Sequence, residues 1–397
     1  MTGLVFSAFS IVTALGAGQK ATLAALHEGR SGLAPCRFDT LPIAAHAGEI
    51  GGLEKWPLTG TLARFDCRNN RLAALALEQD GFPDILEAAK IRHGPARIGV
   101  FLGTSTSGIL ETEVAYRHSH PETGALPDSF NYAGTHNTYA LGAFVREYLG
   151  LSGPSFVVST ACAATSKAFA SAARMISAGV CDAALVGGVD TLCGTTLFGF
   201  HALGVIADGP CRPFDARRNG ISIGEGAGFV LLERRRREHG ADAIELLGTG
   251  ESSDAYHMSS PHPEGAGARA AMAAALASAG LRPEGIDYVN LHGTATVTGD
   301  AAEDRAVSGI FGHTLPCSSS KGFTGHTLGA SGVVGAIFGA LAIQNGFIPG
   351  SPHTGEVDPG FASHYQSVGR EARVRRVLCN TFGFGGVNCS LVLGRKA

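Results

Sequence analysis

Short apolar runs of strand length alternate along this chain with Ala-rich stretches of helix length, and that alternation restricts the fold more than any other feature. Arg97-Ile98-Gly99-Val100-Phe101-Leu102 and Ala183-Ala184-Leu185-Val186 read as strands buried on both faces, while residues 166–178 and 268–279 read as helices. This βαβα rhythm predicts an α/β fold whose sheets are covered by helices. Residues 4–12 are apolar without a basic leader, so they read as a first buried strand rather than a signal peptide. With 397 residues, 45% hydrophobic and only 16% charged, the chain suits two similar halves, a large core and a sizeable subunit interface.

A short internal echo supports duplication. Phe101-Leu102-Gly103-Thr104-Ser105-Thr106 and Asn290-Leu291-His292-Gly293-Thr294-Ala295-Thr296 each read as a strand opening into a Gly-Thr-x-Thr turn. The expected halves are 1–238 and 239–397, divided where Arg236-Arg237-Glu238-His239-Gly240-Ala241-Asp242 reads as a polar helix end and loop. The basic run Arg234-Arg235-Arg236-Arg237 reads as the solvated end of that helix. A net charge of −3 gives no sign of a nucleic-acid partner. Nine cysteines without a CxxC pair argue against disulfides and zinc and for a reducing cytoplasm. No stretch reads as long and apolar enough to span a membrane.

Three distant segments fit one chemistry. Val158-Ser159-Thr160-Ala161-Cys162-Ala163-Ala164-Thr165 sets a cysteine between an apolar run and an Ala-rich helix. Asn290–Thr296 carries His292 beside Gly293, and Lys321-Gly322-Phe323-Thr324-Gly325-His326 ends on a second histidine. A thiolate attacks thioesters, and neutral imidazoles can hold a developing oxyanion, so the set points to covalent acyl transfer. At a helix N-terminus the thiol is expected to lose its proton more easily. Alone, Cys162 would read as a small core residue, as Cys181, Cys193 or Cys379 do.

The ordered motifs together resemble an elongating β-ketoacyl-ACP synthase of the thiolase superfamily. They comprise Gly153-Pro154-Ser155, the cysteine segment, Arg212-Pro213-Phe214-Asp215, Gly224-Glu225-Gly226-Ala227-Gly228 and Ser253-Asp254-Ala255-Tyr256-His257-Met258. Both histidine segments and the closing Asn380-Thr381-Phe382-Gly383-Phe384-Gly385-Gly386-Val387-Asn388 complete the set. The resemblance implies a thiolase-like, duplicated five-layer αβαβα core and a tight dimer.

It also implies roles. Cys162 would carry the acyl chain, and His292 and His326 would stabilise the enolate left when malonyl-ACP loses carbon dioxide. Lys321 would stand behind His326, with Asp300 and Glu303 supporting the network. Phe384 would pair its N–H with that of Cys162 as an oxyanion hole and gate the site with its ring, while Thr106 and Phe200 would line the acyl pocket. No metal or cofactor is expected, the acyl chains arriving on phosphopantetheinyl acyl carrier protein. The second subunit would be an identical chain or a chain-length-factor homologue. Where the elongating synthases usually carry a glutamate this chain has Gly335, which leaves the anchoring of Lys321 open.

The small Thr106, with Gly250–His257 and Pro261-His262-Pro263, is similar to ketosynthases of aryl-polyene pigment clusters, and ordinary fatty-acid elongation is the alternative. A chain-length factor would lack the nucleophile. A thiolase would need a cysteine in the closing loop, and a priming synthase an asparagine in place of His326.

Overall fold

The computed structural model describes residues 3–38 and 43–395. Its principal strands are β1 (Leu4–Thr13), β2 (Ile98–Gly103), β3 (Ser155–Val158), β4 (Ala183–Asp190), β5 (Gly226–Arg234), β6 (Ile244–Ser253), β7 (Tyr288–Asn290), β8 (Pro316–Ser318), β9 (His364–Tyr365), β10 (Arg376–Gly383) and β11 (Val387–Arg395). Hydrogen bonding joins them in the order β9-β8-β7-β10-β11-β6-β1-β5-β4-β2-β3, a 12-stranded sheet counting the strand Gly16–Ala17 that turns back on β1.

The joint at the centre is slight: β1 and β6 share only the pairs Leu4↔Leu246 and Val5↔Glu245. On either side of it the same ladder appears. From β1 outward, β5 is antiparallel, β4 antiparallel to β5, then β2 and β3 run parallel. From β6 outward, β11 is antiparallel, β10 antiparallel to β11, then β7 and β8 run parallel. The chain is a duplicated α/β fold. The echo in the sequence falls on β2 and β7, the strands that correspond in the two ladders.

Helices α1 (Arg68–Leu77), α2 (Ala140–Leu149), α3 (Ala164–Ser177), α4 (Gly194–Ala202), α5 (Ala266–Ala279), α6 (Val297–Phe311) and α7 (Ser331–Asn345) complete the frame. Helices α3 and α7 touch each other and strands of both ladders, so they form the middle layer. Helices α1 and α2 cover one outer face, and α5 with α6 the other. Composition explains the placement: α3 is rich in alanine and α7 buries every residue from Ser331 to Ile343. Small side chains let helices pack closely on all sides.

Two expectations are corrected here. The stretch Leu328–Asn345 is in fact long and apolar enough to cross a membrane, yet it is largely buried against both ladders as a core helix. The basic run does not end a helix. Arg234 closes strand β5, and a single turn, Arg237–His239, follows. Arg235 pairs with the buried Glu245, and Arg236 lies 3.2 Å from the buried Glu233. Those carboxylates hold the run against the ends of strands β5 and β6.

Candidate active site

The duplicated ladders deliver the three predicted segments to one place. Strand β3 leads into a sharp turn before α3, and Ala161 takes a left-handed φ of 49° just ahead of Cys162. The other two segments show the same device, with Ala295 at φ 65° after His292 and Leu328 at φ 49° after His326. Non-glycine residues held in this region are strained, and such strain collects where a site fixes its geometry.

The backbone of His326 is held as a strand partner: Gly224 N–H donates to its carbonyl at 3.0 Å, and its own N–H donates to Ser222 at 2.7 Å. Only glycine fits at 224, because a Cβ there would stand 1.9 Å from the Thr324 carbonyl oxygen.

His326 Nε2 lies 3.0 Å from Cys162 Sγ, and the His292 and His326 rings sit 5.4 Å apart, nearly perpendicular. The hydrogen bonds fix the tautomers. Leu328 N–H donates to His326 Nδ1 at 3.1 Å, so Nδ1 accepts and the neutral ring carries its proton on Nε2. Lys321 Nζ lies 3.4 Å from His292 Nδ1 and donates to the His292 carbonyl, which sets the same tautomer there. Burial, and then the Lys321 charge, hold both imidazoles well below their ordinary pKa. Both rings are therefore neutral N–H donors.

Lys321 thus stands behind His292, not behind His326 as expected. Ser331 Oγ, 3.0 Å from His326 Nδ1, occupies the position foreseen for the lysine. Glu303 accepts the N–H groups of His292 and Gly293 at 2.8 and 2.7 Å and the amide of Asn380 at 3.1 Å. Asp300 accepts from Phe214 and Ala295, and burial pushes its carboxyl up to about 7. Lys321 keeps its contacts with His292 although Gly335 replaces the family glutamate. A Cβ at 335 would meet Asn290 Oδ1 at 3.3 Å.

The thiol departs from the expected acidity. Burial pushes Cys162 up to about 11, outweighing the Lys321 charge and the N–H groups of Phe384 and Cys162 that favour the thiolate. The backbone N–H groups of Phe384 and Cys162 thus both lie close to the sulfur. The cleft above it is lined by Phe200, Thr294, Thr296 and Phe384, with the Phe200 and Phe384 ring centroids 5.7 Å apart.

Cys162, His292 and His326 offer three ligand atoms within 4.8 Å, a spacing that could hold a metal ion. The surroundings oppose it. Metal-binding histidines give their second N–H to an acceptor, whereas both Nδ1 atoms here face donors, and a lysine charge lies beside them.

Thr106 is not among the residues lining the cleft. It is buried, its hydroxyl 2.7 Å from Asp190 and accepting the Thr191 N–H at 3.2 Å. Thr106→Ile is therefore expected to act through the fold, costing about 1–3 kcal/mol for the lost buried bonds. Turnover of short and long acyl substrates should fall equally; a loss confined to long chains would return Thr106 to the tunnel.

Residues 5–238 match the family model for the beta-ketoacyl synthase N-terminal domain, and residues 243–355 match that for the C-terminal domain. The chain belongs to the β-ketoacyl synthase family and is an acyltransferase. The 3-oxoacyl-[acyl-carrier-protein] synthase 2 of Staphylococcus aureus is 32% identical over 382 residues, 90% of this chain and 91% of that protein. The mitochondrial 3-oxoacyl-[acyl-carrier-protein] synthase of Arabidopsis thaliana is 39% identical, over 61% of this chain and 57% of that protein. Among solved structures, the ketosynthase ApeO in complex with its chain length factor ApeC, from Xenorhabdus doucetiae, has a TM-score of 0.89. It is 36% identical, over 100% of this chain and 98% of that one. The ishigamide ketosynthase/chain length factor has the same TM-score of 0.89 at 29% identity, with both chains covered in full.

Proposed function

We propose that this protein condenses an acyl group held on Cys162 with malonyl-ACP in the building of a polyene chain. The observation that carries the reading is the convergence on one cleft of the thiol, two imidazole Nε2–H donors and two backbone N–H groups. Cys162 reacts through its thiolate: its sulfur attacks the acyl thioester, the carbon–sulfur bond to the carrier breaks, and the proton given up by Cys162 ends on the departing sulfur, which leaves as the pantetheine thiol. Malonyl-ACP then loses carbon dioxide, and His292 and His326 donate to the enolate oxygen as charge gathers there. The carbanion attacks the acyl-Cys162 carbonyl, whose oxyanion is held by the N–H groups of Cys162 and Phe384. Collapse breaks the carbon–sulfur bond and leaves a β-ketoacyl-ACP two carbons longer. These steps use side chains and backbone alone, with carrier-borne pantetheine as the acyl handle and no resident metal or cofactor. The Phe384 ring, packed on Phe200, separates the acyl-cysteine from the malonyl position.

The polyene assignment draws on the likeness to ApeO and to the ishigamide ketosynthase. The near full-length match to the S. aureus synthase favours saturated fatty-acid elongation as the second reading. Intact-mass measurement of Cys162 after incubation with polyenoyl-ACP and saturated acyl-ACP of equal carbon number decides between them. Faster loading of the polyenoyl group is expected; a preference for the saturated chain overturns the pathway and leaves the condensation standing.

A dimer belongs to the same reading. Strand β3 is the last in the sheet order and pairs only with β2 among the described residues, and all four of its residues are partly exposed. Such an open edge is a template for a further strand. We expect a dimer across it, with an identical chain or a cysteine-less homologue, in a cytoplasmic setting. Sedimentation at micromolar concentration should give the dimer mass, and a monomer would refute it.

A further inference from the structure

Asp190 ends strand β4 fully buried, and every hydrogen bond found to its carboxylate comes from a donor in another segment. Oδ1 accepts from Thr104 Oγ1 at 2.8 Å and from Ser105 N, Thr106 N and Thr106 Oγ1 at 2.7 Å each. Oδ2 accepts the Ala330 N–H at 3.1 Å. Five donors on one carboxylate satisfy its charge and fasten two turns to the strand.

The second of those turns, Leu328–Ala330, also supplies the Leu328 N–H that fixes the His326 tautomer, and it runs directly into Ser331. It is under strain at Leu328, and it is gripped from the opposite side by Thr165 Oγ1, which donates to the Gly329 carbonyl at 2.8 Å. Thr165 lies on α3, the helix that follows Cys162. The fit around Gly329 is tight: a Cβ there would come 2.8 Å from Asp190 Oδ2 and 2.9 Å from Ser105 N.

We infer that Asp190 is a positioning residue of the condensation site, holding the Leu328–Ala330 turn so that His326 keeps its Nε2–H aimed at the reacting oxygen. The inference rests on His326 being an oxyanion donor, as proposed above. Asp190 touches no substrate. Its effect passes through one turn and one ring.

The test is a double-mutant cycle read by decarboxylation of malonyl-ACP. Asp190→Asn keeps the shape, but sets an amide N–H₂ among N–H donors. It should lower kcat ~10–100-fold with KM unchanged, the scale of a slightly misplaced catalytic group. In a His326→Ala background the same substitution should cost nothing further. An equal loss in both backgrounds means that Asp190 acts on the fold at large and overturns the inference. If His326→Ala alone decarboxylates at the wild-type rate, the oxyanion role fails and takes this inference with it. Should Asp190→Asn not fold, Gly329→Ala serves instead, pushing the turn off Asp190 without altering the carboxylate. The same background-dependent loss is expected, and unchanged decarboxylation in that variant counts against the inference.

Discussion

Cys162→Ala is expected to abolish condensation and to leave the fold intact. The sulfur is well placed to form the acyl-enzyme: it sits 3.0 Å from His326 Nε2, close to the Phe384 and Cys162 N–H groups. Alanine fills nearly the same space beside the small residues Ala161 and Ala163, so the melting temperature should hardly move. Product formation measured on acyl-ACP and malonyl-ACP should fall to background, and condensation persisting at the wild-type rate would remove the nucleophile. Cys162→Gln should separate the two half-reactions. Its amide mimics the acyl-thioester, so malonyl decarboxylation continues while no condensed product forms. The raised thiol adds a pH signature. Because Cys162 stays protonated until about 11, its thiolate fraction grows with pH through neutrality. Alkylation should rise about tenfold per pH unit rather than level off near neutral.

The chemistry of this site was legible because it rests on residue types in local settings. A thiol before an Ala-rich helix and two histidines beside glycines can be seen without coordinates, and β2 and β7 could be matched by their shared Gly-Thr turns. What escaped depends on which distant loop meets which. Lys321 lies 29 residues from His292 and five from His326, so sequence proximity pointed to the wrong ring. Its ammonium turns to His292 because Leu328 N–H and Ser331 already occupy Nδ1 of His326.

Thr106 was expected in the acyl pocket because the family resemblance puts its segment there. The carboxylate that claims its hydroxyl comes from 84 residues away on another strand. The acidity of Cys162 was misjudged for a related reason. The helix N-terminus is visible in the pattern, whereas the burial that raises the thiol appears only once both ladders close over the cleft.

His292→Ala and His326→Ala should each slow malonyl decarboxylation by ~10²–10³-fold, the usual loss on removing one oxyanion donor. They should differ in the first half-reaction. His326 lies against Cys162 Sγ and stabilises the thiolate, so its loss should slow acylation of Cys162 more than the loss of His292 does. The histidines also set the pH behaviour. Burial and the Lys321 charge depress both ring pKa values, so the imidazolium forms only as pH falls well below the ordinary histidine range. Across that range the rings stay neutral donors, and the decarboxylation rate should show no acid limb in the titration window of an ordinary histidine. Lys321→Ala takes away a positive charge and the group facing Nδ1 of His292, so it should raise both ring pKa values and bring the acid limb up toward that window. Its lower kcat should be accompanied by a changed pH profile, which simple loss of packing would not produce. An acid limb at the ordinary histidine pKa in the unaltered protein would mean that the imidazoles titrate freely, and the neutral-donor assignment would fall.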